Sequence, residues 1–151
     1  MSAQAATVPD SRQDKRFRVI LIKPSHYDDD GYLIRWYRSP MPANSLATVY
    51  GLIDDCAQRQ ILGPGTEIEI IAIDETNTRL RIDRIISEMR GNKNFGFVGL
   101  VGVQSNQYPR SLHIAKPLRA AGIRSSSAAF MSQACLRCST KLVRTCRLHS
   151  T

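Results

Sequence analysis

Three short runs of branched apolar residues alternate with three stretches of helical periodicity, and this alternation dictates the fold. The runs are 17–23 (FRVILIK), 67–73 (EIEIIAI) and 95–103 (FGFVGLVGV). Each is short, apolar almost throughout and rich in residues that favour strands, the signature of a strand buried on both faces. Between the first two, Leu46, Val49, Tyr50, Ile53, Cys56 and Ala57 fall on one face of a helix. Asn44 or Ser45 is expected to cap its start, and Gly63 before Pro64 to stop it. A second helix is predicted from a Thr78 cap to Gly91, with Ile82, Ile85, Ile86 and Met89 inward. A third runs from Pro109, suited to a first helical turn, to Gly122, with Ile114, Ala115, Leu118 and Ala121 inward. Pro117 lies inside it and is expected to kink it by crowding the carbonyl of His113. The order β-α-β-α-β-α demands parallel strands, right-handed crossovers and helices on both faces. The fold class is therefore α/β, a Rossmann-like three-layer parallel sheet.

The chain has 151 residues, the size of one domain. No apolar run approaches the roughly 18 residues that a membrane span needs, so no membrane association is expected. Residues 1–15 lack an apolar segment and read as a disordered lead-in rather than a secretory signal, which points to the cytoplasm. The net charge of +8 invites a nucleic-acid partner. Its distribution argues against one. Residues 1–124 carry 17 basic and 13 acidic side chains, a net of +4, and residues 125–151 add 4 basic and no acidic ones. Half the excess sits in the last segment, and in the rest the two signs are interspersed, as on a solvated surface. No nucleic-acid partner is expected.

In open parallel sheets ligands bind beyond the carboxyl ends of the strands. After the first strand come Pro24, Ser25, His26, Tyr27 and the run Asp28, Asp29, Asp30, Gly31. After the second come Asp74, Glu75, Thr76 and Asn77. After the third come Gln104, Ser105, Asn106, Gln107 and Tyr108. All three loops are rich in hydrogen-bonding side chains. A receiver-like signalling domain would carry a phosphoacceptor aspartate after the third strand, where Gln104, Ser105 and Asn106 stand instead.

Three blocks, KPSHYDDDGYLIRWYRSPMPANSLATVYGL, DETNTR and GLVGVQSNQYPRSLHIAKPLRAAGI, together resemble the N-terminal cobalamin-binding domain of cobalamin-dependent radical SAM proteins over residues 16–124. The block GLVGVQSNQ is the most specific part. The resemblance implies that Ser105, flanked by Gln104, Asn106 and Gln107, meets the buried nucleotide tail of cobalamin. It places Ser25 and His26 in the loop against the corrin ring, and Asn44 and Ser45 at the adjoining helix start. It also implies a flavodoxin-like strand order, 2-1-3-4-5. The motif D-x-H-x-x-G, whose histidine replaces the lower cobalt ligand, is not matched: Pro24 stands two residues before His26 and Gly31 five after it. His26 therefore reads as a polar loop residue. The cluster motif C-x3-C-x2-C is absent as well. Without three thiolates at that spacing there is no iron–sulfur cluster and no radical chemistry, so no catalytic residues are assigned. The chain reads as a fragment whose parent would carry a C-terminal radical SAM domain. Cys56, on the apolar helix face, reads as a core residue.

The segment 125–151 (SSSAAFMSQACLRCSTKLVRTCRLHST) has neither strand nor helix period. A parallel domain of this kind needs a fourth strand after Gly122, and Ser125-Ser126-Ser127-Ala128-Ala129 is a poor one. Inserting one base after codon 124 permits the reading Arg-Val-Val-Ile-Gly-Gly-Phe-His-Val-Ser, a buried strand followed by Gly-Gly. The expectation is that residues 125–151 are translated out of frame and that the sheet is incomplete. The third strand would then be a bare apolar edge, an aggregation template, and cobalamin binding would be weak or lost. The alternative makes the tail functional. Cys135, Cys138, Cys146 and His149 form a C-x2-C…C-x2-H set able to bind zinc, which would make the chain a small zinc-binding or interaction protein.

Overall fold

A computed structural model describes residues 15–36 and 43–127. The elements are β1 (Lys15–Lys23), α1 (Asn44–Gln58), β2 (Thr66–Asp74), α2 (Ile82–Gly91), β3 (Gly96–Leu100), a single 3-10 turn (Ser105–Gln107), α3 (Tyr108–Ala120) and β4 (Ser125–Ser127). The four strands form one sheet in the order β2-β1-β3-β4, parallel throughout. β1 pairs with β2 from Lys15↔Thr66 to Lys23↔Asp74, and with β3 from Arg18↔Gly96 to Ile22↔Leu100.

β1 is interior, so its apolar run is buried from both sides. Val19 and Leu21 face α1, where they meet Leu46, Val49 and Ile53. Ile20 and Ile22 face the opposite way, into a cluster with Ile85 and Met89 of α2 and Ile114 and Leu118 of α3. Helices therefore cover both faces, and the chain is an α/β fold with a Rossmann-like parallel sheet. At the amino end Arg18 lies 2.8 Å from Glu69 across the β1–β2 pair.

The helix and strand boundaries differ from those expected, each for a local reason. The backbone of Ala43 caps α1 without a side-chain bond, while Asn44 and Ser45 already lie in the first turn. α1 ends at Gln58, before Gly63, and the chain reverses through Gln60 at φ 49°. α2 begins at Ile82, well past Thr78. Asp74 holds the intervening residues in a turn: its side chain accepts from the Thr76 amide at 2.9 Å and its carbonyl from the Thr78 amide at 2.9 Å. β3 stops at Leu100 because Gly102, at φ +66°, turns the chain out of the sheet. Pro117 lies within α3, which runs on through it to Ala120.

The expectation of a missing fourth strand is corrected. Ser125–Ser127 pairs with β3 from Val98↔Ser125 to Leu100↔Ser127, so β3 is not bare over these residues. Strand pairing uses the backbone and needs no apolar side chain when the approach is fixed beforehand. Here Gly122, at φ +75°, reverses the chain after α3, and Ile123 is sunk into the core. The Arg124 carbonyl then accepts from the Val98 amide at 2.9 Å. Residues 1–14 and 128–151 lie outside the described residues, and with them the lead-in apart from Lys15, most of the out-of-frame segment, and the zinc set Cys135, Cys138, Cys146 and His149.

Candidate functional site at the carboxyl rim

The carboxyl ends of the strands form a rim with two unlike halves. The first lies over β1 and β2. The Glu75 amide donates to the Lys23 carbonyl at 3.0 Å, which sets Glu75 beside the end of β1. Its carboxylate is buried and accepts from the Ser25 amide at 3.1 Å. Arg110, in the first turn of α3, closes on it: Nε lies 3.0 and 3.1 Å from the two carboxylate oxygens, and Nη2 2.5 Å from Oε1. Such forked pairing fixes orientation as well as charge. Hydrogen bonding to Glu75 raises the Arg110 pKa above the ordinary guanidinium value, against the lowering effect of burial. A raised value keeps Arg110 protonated at every pH below the guanidinium range. Deprotonation of Arg110 itself therefore removes stability only in strong alkali.

The network continues outward. Arg110 Nη1 donates to Tyr27 Oη at 3.3 Å, and Tyr27 Oη lies 2.8 Å from His113 Nδ1. A guanidinium only donates, so Tyr27 Oη accepts from Arg110, and the imidazole tautomer sets the direction of the Tyr27–His113 bond. The Tyr27 and His113 rings meet edge to face, with centroids 5.6 Å apart. The Ser25 hydroxyl donates to the Ile34 carbonyl. Among the described residues no buried side-chain nitrogen or oxygen lacks a partner, so this half of the rim is filled by the protein itself.

The second half lies over β1 and β3. The Val101 amide donates to the Ile22 carbonyl at 2.8 Å, which lays the loop after β3 against the end of β1. At Gly102 a Cβ would stand 2.5 Å from Ser45 Oγ. Ser45 at the start of α1 therefore packs on this loop, and glycine is favoured at 102 by its φ of +66°. Beyond it, Gln104 and Gln107 cap each other: the Gln104 amide donates to Gln107 Oε1 at 3.0 Å and its carbonyl accepts from the Gln107 amide at 3.0 Å. Gln107 is buried, while Gln104, Ser105 and Asn106 are exposed, as are Asn44 and Ser45 at the helix start.

The residues singled out in the sequence thus separate into two groups. Asn44, Ser45, Gln104, Ser105 and Asn106 stand at the surface around the junction of α1 with the loop after β3. Ser25 and Gln107 are spent on internal bonds. His26 is half-buried, and its carbonyl accepts from the Ile34 amide at 3.0 Å. The Glu75–Arg110–Tyr27–His113 chain is not foreshadowed by any sequence motif. Glu75 and Arg110 are 35 residues apart, so no local spacing ties them. The available signal was a carboxylate just beyond a strand end and an arginine in the first turn of a helix. A separate depression of about 660 Å3 is lined by Arg79, Leu80, Arg81, Ile82, Asp83, Arg84 and Pro117, and includes none of the singled-out residues. Among the described residues no group of three or more His, Cys, Asp and Glu could hold a metal ion, and no helix is long and apolar enough to cross a membrane.

Comparison with known protein families gave no match, and none came from curated proteins or from solved structures.

Proposed function

We propose that the chain is a cobalamin-binding module of the kind found at the N-terminus of cobalamin-dependent radical SAM proteins. The observation that carries this reading is the contact of Ser45 with Gly102 at the β1–β3 switch point. It gathers Asn44 and Ser45 with Gln104, Ser105 and Asn106 where a parallel sheet accepts a ligand. The amide-bearing periphery of a corrinoid needs such a set of neutral donors and acceptors. Ser105 would contact the nucleotide tail, and Asn44, Ser45, Gln104 and Asn106 would orient the macrocycle. Ser25 would support the loop from within, because its hydroxyl and amide are already engaged. Cobalamin would supply cobalt–carbon bond chemistry to a partner domain. The cytoplasm is the compartment this reading implies.

Binding by the chain as it stands is expected to be weak, because an out-of-frame segment 125–151 would leave part of the ligand crevice unbuilt. Titration with methylcobalamin, followed by its visible absorption, should give saturable binding with a dissociation constant on the order of tens of micromolar. Tight stoichiometric uptake contradicts the expected weakness, and no saturable change removes the corrinoid reading. The nucleotide sequence around codon 124 tests the out-of-frame segment: the alternative frame should continue a domain, and a frame closed by early stops excludes it. The zinc reading of Cys135, Cys138, Cys146 and His149 requires stoichiometric metal in the purified protein.

A further inference from the structure

We propose that segment 25–36 is a releasable strap, closed over the Glu75–Arg110 pair and held to α3 by Tyr27. This deepens the reading of the carboxyl rim as ligand-facing and rests on it: the strap governs access to the half of the rim that the protein now fills.

The segment is a small folded unit. Tyr27 and Leu33 form an antiparallel bridge. The Asp28 amide donates to the Tyr32 carbonyl at 2.9 Å, the Gly31 amide to the Asp28 carbonyl at 3.1 Å, and the Tyr32 amide to Asp28 Oδ1 at 2.7 Å. The Ile34 amide donates to the His26 carbonyl at 3.0 Å. Its root is Ser25, buried against Glu75. Its far end is tied to the turn after β2, where the Trp36 amide donates to the Thr76 carbonyl at 2.9 Å. Between these two ends, the attachment to α3 runs through the Tyr27 hydroxyl, shared by Arg110 and His113.

The composition favours release over permanent packing. Tyr32 and Trp36 are 73% and 61% exposed, and Asp28, Asp29 and Asp30 are solvated. The strap contributes no fully buried large apolar side chain to either core cluster. It is held by hydrogen bonds, each of which contributes little net free energy in water, whereas the pair beneath is buried and forked. Segments with few buried apolar contacts are the ones that open without global unfolding. Opening at Tyr27 would uncover the guanidinium of Arg110, whose five donors suit an anionic group on a ligand.

Two measurements on the intact chain test this without any ligand. The first is amide hydrogen exchange in Tyr27→Phe, which keeps the ring and removes the hydroxyl. Exchange at Asp28, Gly31, Tyr32, Ile34 and Trp36 should rise roughly three- to tenfold, with Val98 and Val101 unchanged. The second is arginine modification by phenylglyoxal, mapped by mass spectrometry. Arg110 should react more slowly than exposed Arg119 in the parent chain and several-fold faster in Tyr27→Phe. His113→Ala, which leaves Tyr27 and Arg110 in place, should move both readouts in the same direction by less. Unchanged exchange, a uniform rise across the sheet, or an unchanged Arg110 rate each overturn the strap. A strap that behaves as expected beside a failed methylcobalamin titration removes the corrinoid reading alone.

Discussion

Replacing Arg110 with alanine is expected to cost about 3–5 kcal/mol of stability, because it strands a carboxylate that has nowhere to go. The Glu75 side chain is 1% exposed and takes three of its bonds from Arg110. The Ser25 amide alone cannot replace them. Removing one partner of a buried pair leaves the full desolvation penalty of the other, which exceeds the net value of the pair itself. The double variant Glu75→Gln with Arg110→Met should therefore be more stable than Arg110→Ala. Denaturant unfolding of the three chains measures this. A single variant that loses less than about 1 kcal/mol would mean that water reaches Glu75 and that this half of the rim is not sealed.

A comparable loss is expected from Gly96→Ala, about 3 kcal/mol, for a purely steric reason. A Cβ at Gly96 would stand 1.9 Å from the Arg18 carbonyl oxygen and 2.8 Å from its carbon. Both are backbone atoms of the neighbouring strand, locked by the Arg18↔Gly96 register, so neither side can yield without parting β1 from β3. Gly65→Ala provides the control. Gly65 also has a positive φ, +90°, but nothing lies within 4 Å of its Cβ position. Only the left-handed conformation is then penalised, by roughly 1–2 kcal/mol. Equal losses in the two variants would place the cost in backbone conformation and refute the close approach.

The layered sheet was legible in the sequence because burial on both faces writes itself into consecutive residues. Val19, Ile20, Leu21 and Ile22 could serve only an interior strand, and the spacing of Ile85 with Met89 and of Ile114 with Leu118 announced one helix face each. The exposed half of the rim was also legible, since the rule that ligands lie beyond strand ends points to residues by position. Three features were hidden. The Thr78 cap failed because Asp74 commits the chain to a turn first. β4 was missed because side-chain pattern says nothing about a strand placed by Gly122 and Ile123. The Glu75–Arg110 pair was missed because its partners are joined only when the end of β2 and the start of α3 converge at the end of β1.

The proposed corrinoid-facing surface is the junction of α1 with the loop after β3. Backbone amide chemical shifts recorded on the labelled chain during addition of methylcobalamin test it most directly. Saturable shifts are expected at residues 44–46 and 102–107, with the amides of the Arg79–Arg84 depression unmoved. Shifts confined to Arg79–Arg84, or none at saturating cobalamin, would contradict it.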